Sequence, residues 1–494
     1  MSTLVVEVCQ VSAVERHPHA DRLGVATVKG WRTVIGFDPA TQTFEFTPGE
    51  KCIYFPPDAV LPPALANSPY KVCRNKSCKA SNKIPPQLAP DQRPTGDRCA
   101  LCGSPLEWKD GTPGRTGAMA FCGELPKDDK GHRPPGGRVR AARLRGLQSF
   151  GFIMKIDPAQ GDDPDWPVGT DLREYFGVTK WEPPIESADG ETEPPHPAFH
   201  TYTDIEHLAN FPGVLAAGEE VVFTEKIHGK NTRVGLILVK DESTGQAAWE
   251  WMAGSHAQRR KELFASVSRF DADELVEQLV LSDPNVTRCQ VFQYDGGRSW
   301  RVVELSSTEG RRFFRAEEVF KQGDGAYAPR YKRSEFWEPL TDNVKALLEH
   351  VRDVYPWPEP KTGIVLFGEL YGTLDMKYGL KNARGFRAFD LTINGRYLNL
   401  DDRLALCAQF GVETVPVLYR GPFDPALVDQ YTDGPTVLCA TDEAGSFTGR
   451  EGIVITPVKE RISEAMIPTS TNGRVIFKSV SADYLARKGG TDAH

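Results

Sequence analysis

Residues 220–231 read Glu-Val-Val-Phe-Thr-Glu-Lys-Ile-His-Gly-Lys-Asn. The segment 220–224 is typical of a β-strand, because β-branched and aromatic residues dominate it. Lys226 follows near the predicted end of the strand. Gly229, three residues later, has no side chain to keep a phosphate group away from the backbone. This spacing predicts a lysine amine that attacks the α-phosphate of a nucleotide.

Further segments follow the lysine in a fixed order. A lone Lys-x-x-Gly is weak, because such a tetrapeptide occurs by chance in most long chains. Four ordered matches behind the lysine argue against coincidence. They are Phe367–Gly372, Phe386–Leu391, Glu451–Ile455 and Val475–Ser479.

Taken together, the five segments resemble the covalent nucleotidyltransferase superfamily of ATP-dependent ligases and capping enzymes. Glu-Lys-Ile-His-Gly-x-Asn at 225–231 is similar to the RNA ligase branch. The amino-terminal residues resemble the OB domain of Deinococcus-type RNA ligases. The resemblance implies an α+β chain: an amino-terminal OB-type β-barrel with an inserted zinc ribbon, then a nucleotidyltransferase (adenylyltransferase) domain of antiparallel sheets and helices.

This resemblance, read with the composition, predicts the domain boundaries. We expect an OB domain at 1–182 with a zinc-ribbon-like insertion at 71–135, an acidic proline-rich linker at 183–199, a nucleotidyltransferase domain at 200–488 and a tail at 489–494. A closing helix is predicted within 156–182, ending at Gly177. A second helix is predicted over 343–351.

The reaction that the resemblance implies has three steps. The lysine takes AMP from ATP, passes it to a 5′-phosphate, and a 3′-hydroxyl then displaces AMP. An ordinary lysine has a pKa of about 10.4 and is protonated at neutral pH, so the pKa of Lys226 must fall. The resemblance assigns this effect to Lys478, a catalytic cation over the α-phosphate, and to a Mg²⁺ or Mn²⁺ ion held by Glu451.

Other positions match the nucleotide-binding residues of the family. The resemblance implies that His228 is catalytic in transfer to the 5′-phosphate, and that the nucleotide is bound by Glu225, Gly229, Asn231, Glu369, Phe389 and Lys478. Two departures from the pattern stand out. Ile476 replaces a lysine common in relatives, with Arg474 as a candidate substitute, and His256 replaces an arginine, with Arg259 as a candidate substitute.

Two cysteine pairs predict a structural zinc site. Cys73 and Cys78 are separated by four residues, and Cys99 and Cys102 by two. Four thiolates suit tetrahedral Zn²⁺, and a polar segment with little apolar content needs such a crosslink. The alternative is a set of free thiols. Cys122 or His132 is an alternative ligand to one of the four cysteines.

A basic segment follows this insertion. If residues around Arg138 and Arg140 form a strand, these two side chains share one face, with Arg143 and Arg145 nearby. This pattern predicts contacts with nucleic-acid phosphates. A solvated strand face is the alternative on charge pattern alone.

Bulk composition limits the class of protein. The net charge is −8, so a polyanion requires a local basic patch rather than the whole surface. No run of 18 apolar residues and no signal peptide is recognisable, which predicts a cytoplasmic protein without membrane contact. The expected partner is RNA with free ends or a nicked RNA-containing duplex. The alternatives are a DNA or mixed-duplex ligase and an inactive RNA-binding protein.

Overall fold

The structure is a computed structural model of the chain. It describes all residues except 1–2, 63–64, 66–67, 74–80, 83–105, 113–121, 124–136, 182–189, 242–243, 272–290, 295–297, 309–310, 324–325, 373, 375, 382, 441–446 and 488–494.

The amino-terminal part consists of short antiparallel strands. Alternate residues of these strands, among them Val8, Ile53 and Phe152, are buried in a common core. One sheet contains Glu7–Gln10, Lys51–Phe55 and Phe152–Lys155, and a second contains Ala13–Arg16, Leu23–Val28, Trp31–Asp38 and Thr43–Phe44. A third contains Cys122–Gly123, Gly137–Val139, Ala59–Leu61 and Thr179–Lys180, and a fourth contains Leu106–Thr112, Ser68–Cys73 and Ser81–Asn82. Ala142–Leu144 and Leu147–Ser149 form a separate hairpin, which we call the basic hairpin.

The closing helix predicted within 156–182 is wrong. This segment contains a 3₁₀ helix, Pro158–Gln160, and a single turn in which the Phe176 amide donates to the Leu172 carbonyl over 3.0 Å. Pro164 and Pro167 lack the amide hydrogen that a continuous helix needs, which explains the interruption.

Two large sheets form the centre of the remaining chain. The seven-stranded sheet has the order Thr192–Glu193, Arg259–Arg260, Ala247–Ser255, Gly229–Lys240, Gly363–Tyr371, Gly385–Ile393 and Arg396–Tyr397. The five-stranded sheet has the order Glu206–His207, Phe477–Val480, Gly452–Pro457, Glu220–Lys226 and Val417–Pro422. Their apolar faces meet in a core that includes Phe367 and Ile476.

A smaller sheet extends from this part. It contains Val267–Asp271, Arg311–Lys321, Arg298–Thr308 and Val291–Tyr294, and Tyr327–Pro329 pairs with its second strand. Leu263–Ala265 pairs separately with Tyr331–Arg333.

Short helices cover the sheets. The α-helices are Asp342–Asp353, Leu400–Gln409, Pro425–Thr432 and Ala482–Ala486, and the other 3₁₀ helices are Leu208–Asn210, Glu335–Trp337 and Glu464–Met466. The prediction over 343–351 is confirmed. Thr341 caps this helix, and Val344, Leu347, Leu348 and Val351 recur at helical spacing on its buried face.

The segment predicted as a linker differs from that expectation at its carboxyl end. Thr192–Glu193 joins the seven-stranded sheet, and Glu191 accepts hydrogen bonds from Arg260 and Ser334. Among the described helices, none has the length and apolar content needed to cross a membrane.

Candidate active site

Lys226 is the last residue of the strand Glu220–Lys226, which we call the lysine strand. The chain then crosses to the seven-stranded sheet, where Gly229 begins the next strand. The Lys226 ammonium forms an ion pair with Glu451, whose side chain is almost fully buried. This pair places the predicted nucleophile and the predicted metal ligand side by side.

Backbone pairing brings Glu451 to the lysine. Lys226 lies opposite Gly452 in the neighbouring antiparallel strand. A Cβ atom at position 452 would overlap the Ser479 carbonyl, and the backbone there has a φ of 154°. Glycine is therefore required directly after Glu451.

Gly229 has a similar steric role. A Cβ atom at this position would overlap the carbonyl of Leu370, in the strand that pairs with Gly229–Lys240. The glycine of the Lys-x-x-Gly sequence therefore allows close strand pairing, besides its predicted approach to a phosphate.

His228 is buried and contacts several groups. Its backbone amide donates to the Tyr378 hydroxyl over 2.7 Å. The Nδ1 atom lies 2.9 Å from the Tyr484 hydroxyl and 3.8 Å from Glu451 Oε2, and Arg487 lies 3.4 Å from Nε2. The imidazole is therefore fixed beside the Lys226–Glu451 pair.

Glu369 is a second, half-buried carboxyl group near the lysine. Its pKa is raised to about 8, mainly by desolvation of the carboxyl group and also by the negative charge of Glu451, whereas Lys226 and the Gly229 amide oppose the increase. Asn231 lies opposite Glu369 in the strand pair, and its Oδ1 atom is buried without a hydrogen-bond partner among the described residues.

Glu225 supports a neighbouring loop. Its carboxylate accepts hydrogen bonds from Thr436 Oγ1 over 2.5 Å and from the Val437 amide over 2.9 Å. Burial raises the pKa of Glu225, and these two hydrogen bonds oppose that increase. Each carboxylate oxygen of Glu225 thus accepts a hydrogen bond from the protein. The predicted recognition of adenine by Glu225 therefore requires either that this loop moves away from the carboxylate or that the backbone of Glu225 makes the contact.

Lys478 lies on the same face of the five-stranded sheet as Thr224 and Lys226 of the lysine strand. Thr224, Val454 and Lys478 are opposite one another across three strands. Lys226 lies two residues beyond Thr224, so its side chain projects from the same face. Lys478 is buried.

The proposed substitute for the missing second lysine is engaged elsewhere. Ile476 packs in the core between the two sheets. Arg474 forms two hydrogen bonds with Glu460, at 3.0 and 2.6 Å, and an ion pair with Asp390 at 2.9 Å. Arg474 is therefore held by carboxylates in this structure, and its role as a substitute for this lysine at a phosphate stays a prediction.

Two other nucleotide-binding candidates, Phe389 and Arg259, contact other residues of the protein. Phe389 packs against Tyr202, with ring centroids 4.8 Å apart. Arg259 forms an ion pair with Glu193 at 2.8 Å, at the outer edge of the seven-stranded sheet. Adenine stacking by Phe389 and nucleotide contact by Arg259 stay predictions.

The four arginines predicted to contact phosphates differ in their exposure. The strand Gly137–Val139 ends before Arg140. Arg138 is ion-paired with Asp58 at 2.5 Å, and its guanidinium lies 3.4 Å from the centre of the Trp181 ring. Val139, between Arg138 and Arg140, is buried, and a shared outward face of the two arginines stays a prediction. Arg140, Arg143 and Arg145 are exposed on or beside the basic hairpin.

The predicted zinc site falls largely outside the residues that the structure describes. Cys78, Cys99 and Cys102 lie outside the described residues, and only the strand assignment of Cys73 is described. Within the described ranges, no three His, Cys, Asp or Glu side chains converge as a ready metal site. Zinc binding stays a prediction.

The contacts also reveal residues that sequence reasoning missed. Tyr378, Thr436, Tyr484 and Arg487 all contact predicted site residues. None belongs to the five ordered segments, and their spacing gives no signal. Only the fold brings them to the lysine.

Comparisons with known proteins show the family and the fold of the chain. The family model described as RNA ligase matches residues 219–480, more than half of the chain. The chain therefore belongs to the RNA ligase family. No curated protein sequence matches it significantly.

Similar solved structures cover nearly the whole chain. A variant RNA ligase of Naegleria gruberi, solved with ATP and Mn, is 18% identical, with a TM-score of 0.51 over 97% of this chain and 98% of that one. Another variant of that ligase, solved with AMP and Mn, is 18% identical, with a TM-score of 0.52 over 98% of both chains. This likeness establishes a shared fold.

Proposed function

We propose that this chain is an ATP-dependent RNA ligase that seals 3′-hydroxyl and 5′-phosphate ends through lysyl-AMP on Lys226 and an adenylylated 5′-end, in the repair of broken or nicked RNA. The observation that carries the proposal is the convergence of Lys226, His228, Glu369 and Glu451 at the junction of the two large sheets, in a member of the RNA ligase family.

A divalent metal fits the carboxylates at this junction. Glu451 Oε2 is buried without a hydrogen-bond partner among the described residues, and Glu369 lies nearby. Carboxylate oxygens are the ligands that Mg²⁺ and Mn²⁺ prefer, and nucleotide phosphates complete such shells. When bound, the metal supplies positive charge that neutralises the phosphates.

The protein's own groups then have defined tasks. Lys226 is the nucleophile. As long as no other cation binds Glu451, the ion pair between Lys226 and Glu451 stabilises the protonated form of the lysine. Engagement of Glu451 by another cation would weaken this pair and favour the neutral amine. Lys478, on the same sheet face, is the second positive charge for the α-phosphate.

We assign substrate contact to the amino-terminal part. In this proposal residues 1–182 are an OB-type module, and exposed Arg140, Arg143 and Arg145 contact the RNA backbone. A zinc site formed by the four predicted cysteines would stabilise the inserted segment.

Nucleotide labelling tests the nucleophile. Incubation with α-labelled ATP should attach label to the protein, and Lys226→Ala should abolish it. Lys240→Ala, at the exposed far end of the next strand, is the matched control and should label normally. Label that persists in Lys226→Ala would refute the assignment. Sealing of nicked RNA-containing and DNA-only duplexes then separates an RNA ligase from a DNA ligase.

A further inference from the structure

Two side chains near the carboxyl end of the described chain contact His228. The helix Ala482–Ala486, which we call the C-terminal helix, carries Tyr484, whose hydroxyl lies 2.9 Å from His228 Nδ1. Arg487 follows the helix and lies 3.4 Å from His228 Nε2. Its guanidinium also lies over the Tyr484 ring, 4.2 Å from the ring centre. The two side chains thus contact both ring nitrogens of one histidine and each other.

The chemistry of arginine assigns the histidine tautomer. A guanidinium has donors but no acceptor. His228 Nε2 must therefore accept from Arg487, which leaves the proton of a neutral imidazole on Nδ1. That proton faces the Tyr484 hydroxyl, with Glu451 Oε2 at 3.8 Å. Without Arg487, either nitrogen would be able to carry the proton.

The C-terminal helix is itself tied to the active site. The Ser481 amide donates to the Glu451 carbonyl over 2.8 Å, and Ser481 Oγ donates to Asp433 over 2.7 Å. The Ser481 hydroxyl also accepts from the Tyr484 amide at the start of the helix. Glu451, Ser481, Tyr484 and His228 therefore form a closed ring of contacts beside Lys226.

Burial makes this contact specific. Tyr484 is fully buried, and burial raises its pKa well above the usual range, so it stays a neutral hydroxyl. The hydroxyl can accept from Nδ1–H, whereas a phenyl ring at this position would leave the Nδ1 proton without this partner.

We propose that Tyr484 and Arg487 are positioning residues that hold His228 in the Nδ1–H tautomer for the transfer of AMP from Lys226 to the RNA 5′-phosphate. This inference rests on the proposed function. In that step an oxygen of the 5′-phosphate forms a P–O bond to the AMP phosphorus, the P–N bond to Lys226 breaks with its electron pair going to nitrogen, and that nitrogen takes one proton from water. Tyr484 and Arg487 form no bond to the reacting groups and act only through His228.

A spectroscopic measurement tests the tautomer without any reaction. Long-range ¹H–¹⁵N spectra distinguish protonated from unprotonated ring nitrogens, and His228→Asn identifies the His228 signals among the 10 histidines. The wild-type protein should show protonated Nδ1 and unprotonated Nε2. Arg487→Ala should introduce the opposite tautomer. A wild-type signal with the proton on Nε2 would overturn the inference.

Step-resolved kinetics tests the functional part. Tyr484→Phe and Arg487→Ala should form lysyl-AMP at nearly the wild-type rate but transfer AMP to a 5′-phosphorylated nick more slowly, by on the order of a hundredfold. In a His228→Ala background the same changes should have little further effect, because the group that they position is gone. Tyr419→Phe, which removes a hydroxyl that donates to the Pro422 carbonyl over 2.8 Å, is the control and should transfer AMP normally.

The outcomes separate the inference from the proposed function. Equal losses in lysyl-AMP formation and transfer, with a lowered melting temperature, would indicate a merely structural role for Tyr484 and Arg487. Additive losses in the His228→Ala background would also overturn the inference. A wild-type chain that forms no lysyl-AMP would instead refute the proposed function, and the spectra would still report the tautomer.

Discussion

Glu369 gives the active site a definite pH dependence of stability. Its pKa of about 8 in the folded protein, against an ordinary value of 4.5, means that the folded chain retains a proton that the unfolded chain releases. This contribution to stability is complete below pH 4.5 and is lost as the pH rises towards 8. Each pH unit in that interval changes the free energy of unfolding by at most about 1.4 kcal/mol.

Glu369→Gln should remove this dependence. Because the amide cannot ionise, we expect the free energy of unfolding of the variant, minus that of the wild type, to increase between pH 5 and pH 8. Urea unfolding without nucleotide or metal measures it. Glu174→Gln, at an exposed position, should give a nearly constant difference. Parallel curves for Glu369→Gln and the wild type would contradict the raised pKa.

Gly229 is required by strand pairing as well as by its predicted phosphate contact. Gly229→Ala should cost about 1–3 kcal/mol of stability, since its Cβ would overlap the Leu370 carbonyl. Denaturant unfolding checks this expectation. Gly323→Ala is the matched control, because a Cβ there meets no atom within 4 Å. Equal stability of both variants would show that the backbone at 229 accommodates a side chain.

At the scale of the element, Arg474 crosslinks three segments before the strand Phe477–Val480. It pairs with Asp390 and Glu460 and donates to the Tyr202 hydroxyl over 3.2 Å. The nearby acidic groups raise the pKa of Arg474, against the effect of burial. Without the guanidinium, the carboxylates of Asp390 and Glu460 would lose their positively charged partner.

Arg474→Ala should therefore destabilise the fold by about 3–5 kcal/mol, the usual effect of leaving a buried charge unpaired. Chemical unfolding measures it. Arg420→Ala, which removes an exposed pair with Asp401, should have little effect. A stable Arg474→Ala protein with defective nucleotide transfer would instead favour the phosphate role that its position in the sequence suggested.

Residues 474–478 show which features a sequence pattern can predict and which it cannot. Local residue preference predicted the strand that leads to Lys226, and the ordered segments pointed to Glu369 and Lys478, because each of these patterns lies within a few residues. The ion pairs of Arg474 depend on Asp390 and Glu460, neither of which is a close neighbour of Arg474 in the sequence. A spacing rule cannot reveal such partners. Arg138 illustrates the same limit, because its ion pair with Asp58 and its contact with the Trp181 ring join residues that are far apart in the sequence.

At the scale of the whole molecule, the amino-terminal part is packed against the site-bearing part. The Thr3 amide donates to Glu206 over 2.8 Å, and Trp31 lies 5.6 Å from the His207 ring, centre to centre. Glu206–His207 in turn pairs in parallel with the strand that carries Lys478. Sequence alone predicted two parts and a linker but not this contact, because each contributing residue is unremarkable in its own segment.

Phe150 offers the sharpest test of coupling between these parts. It is buried in one apolar cluster with Ile227, the residue after the nucleophile, and with Tyr484. Phe150→Ala should lower stability by about 3–5 kcal/mol. Hydrogen exchange should accelerate around residues 226–228 as well as around the substitution, because the cavity removes packing from both parts. Phe320→Ala, at a 42% exposed position, should change neither quantity appreciably. Exchange that accelerates only within the amino-terminal strands would mean that the two parts respond independently, and that the packing around Lys226 does not depend on this contact.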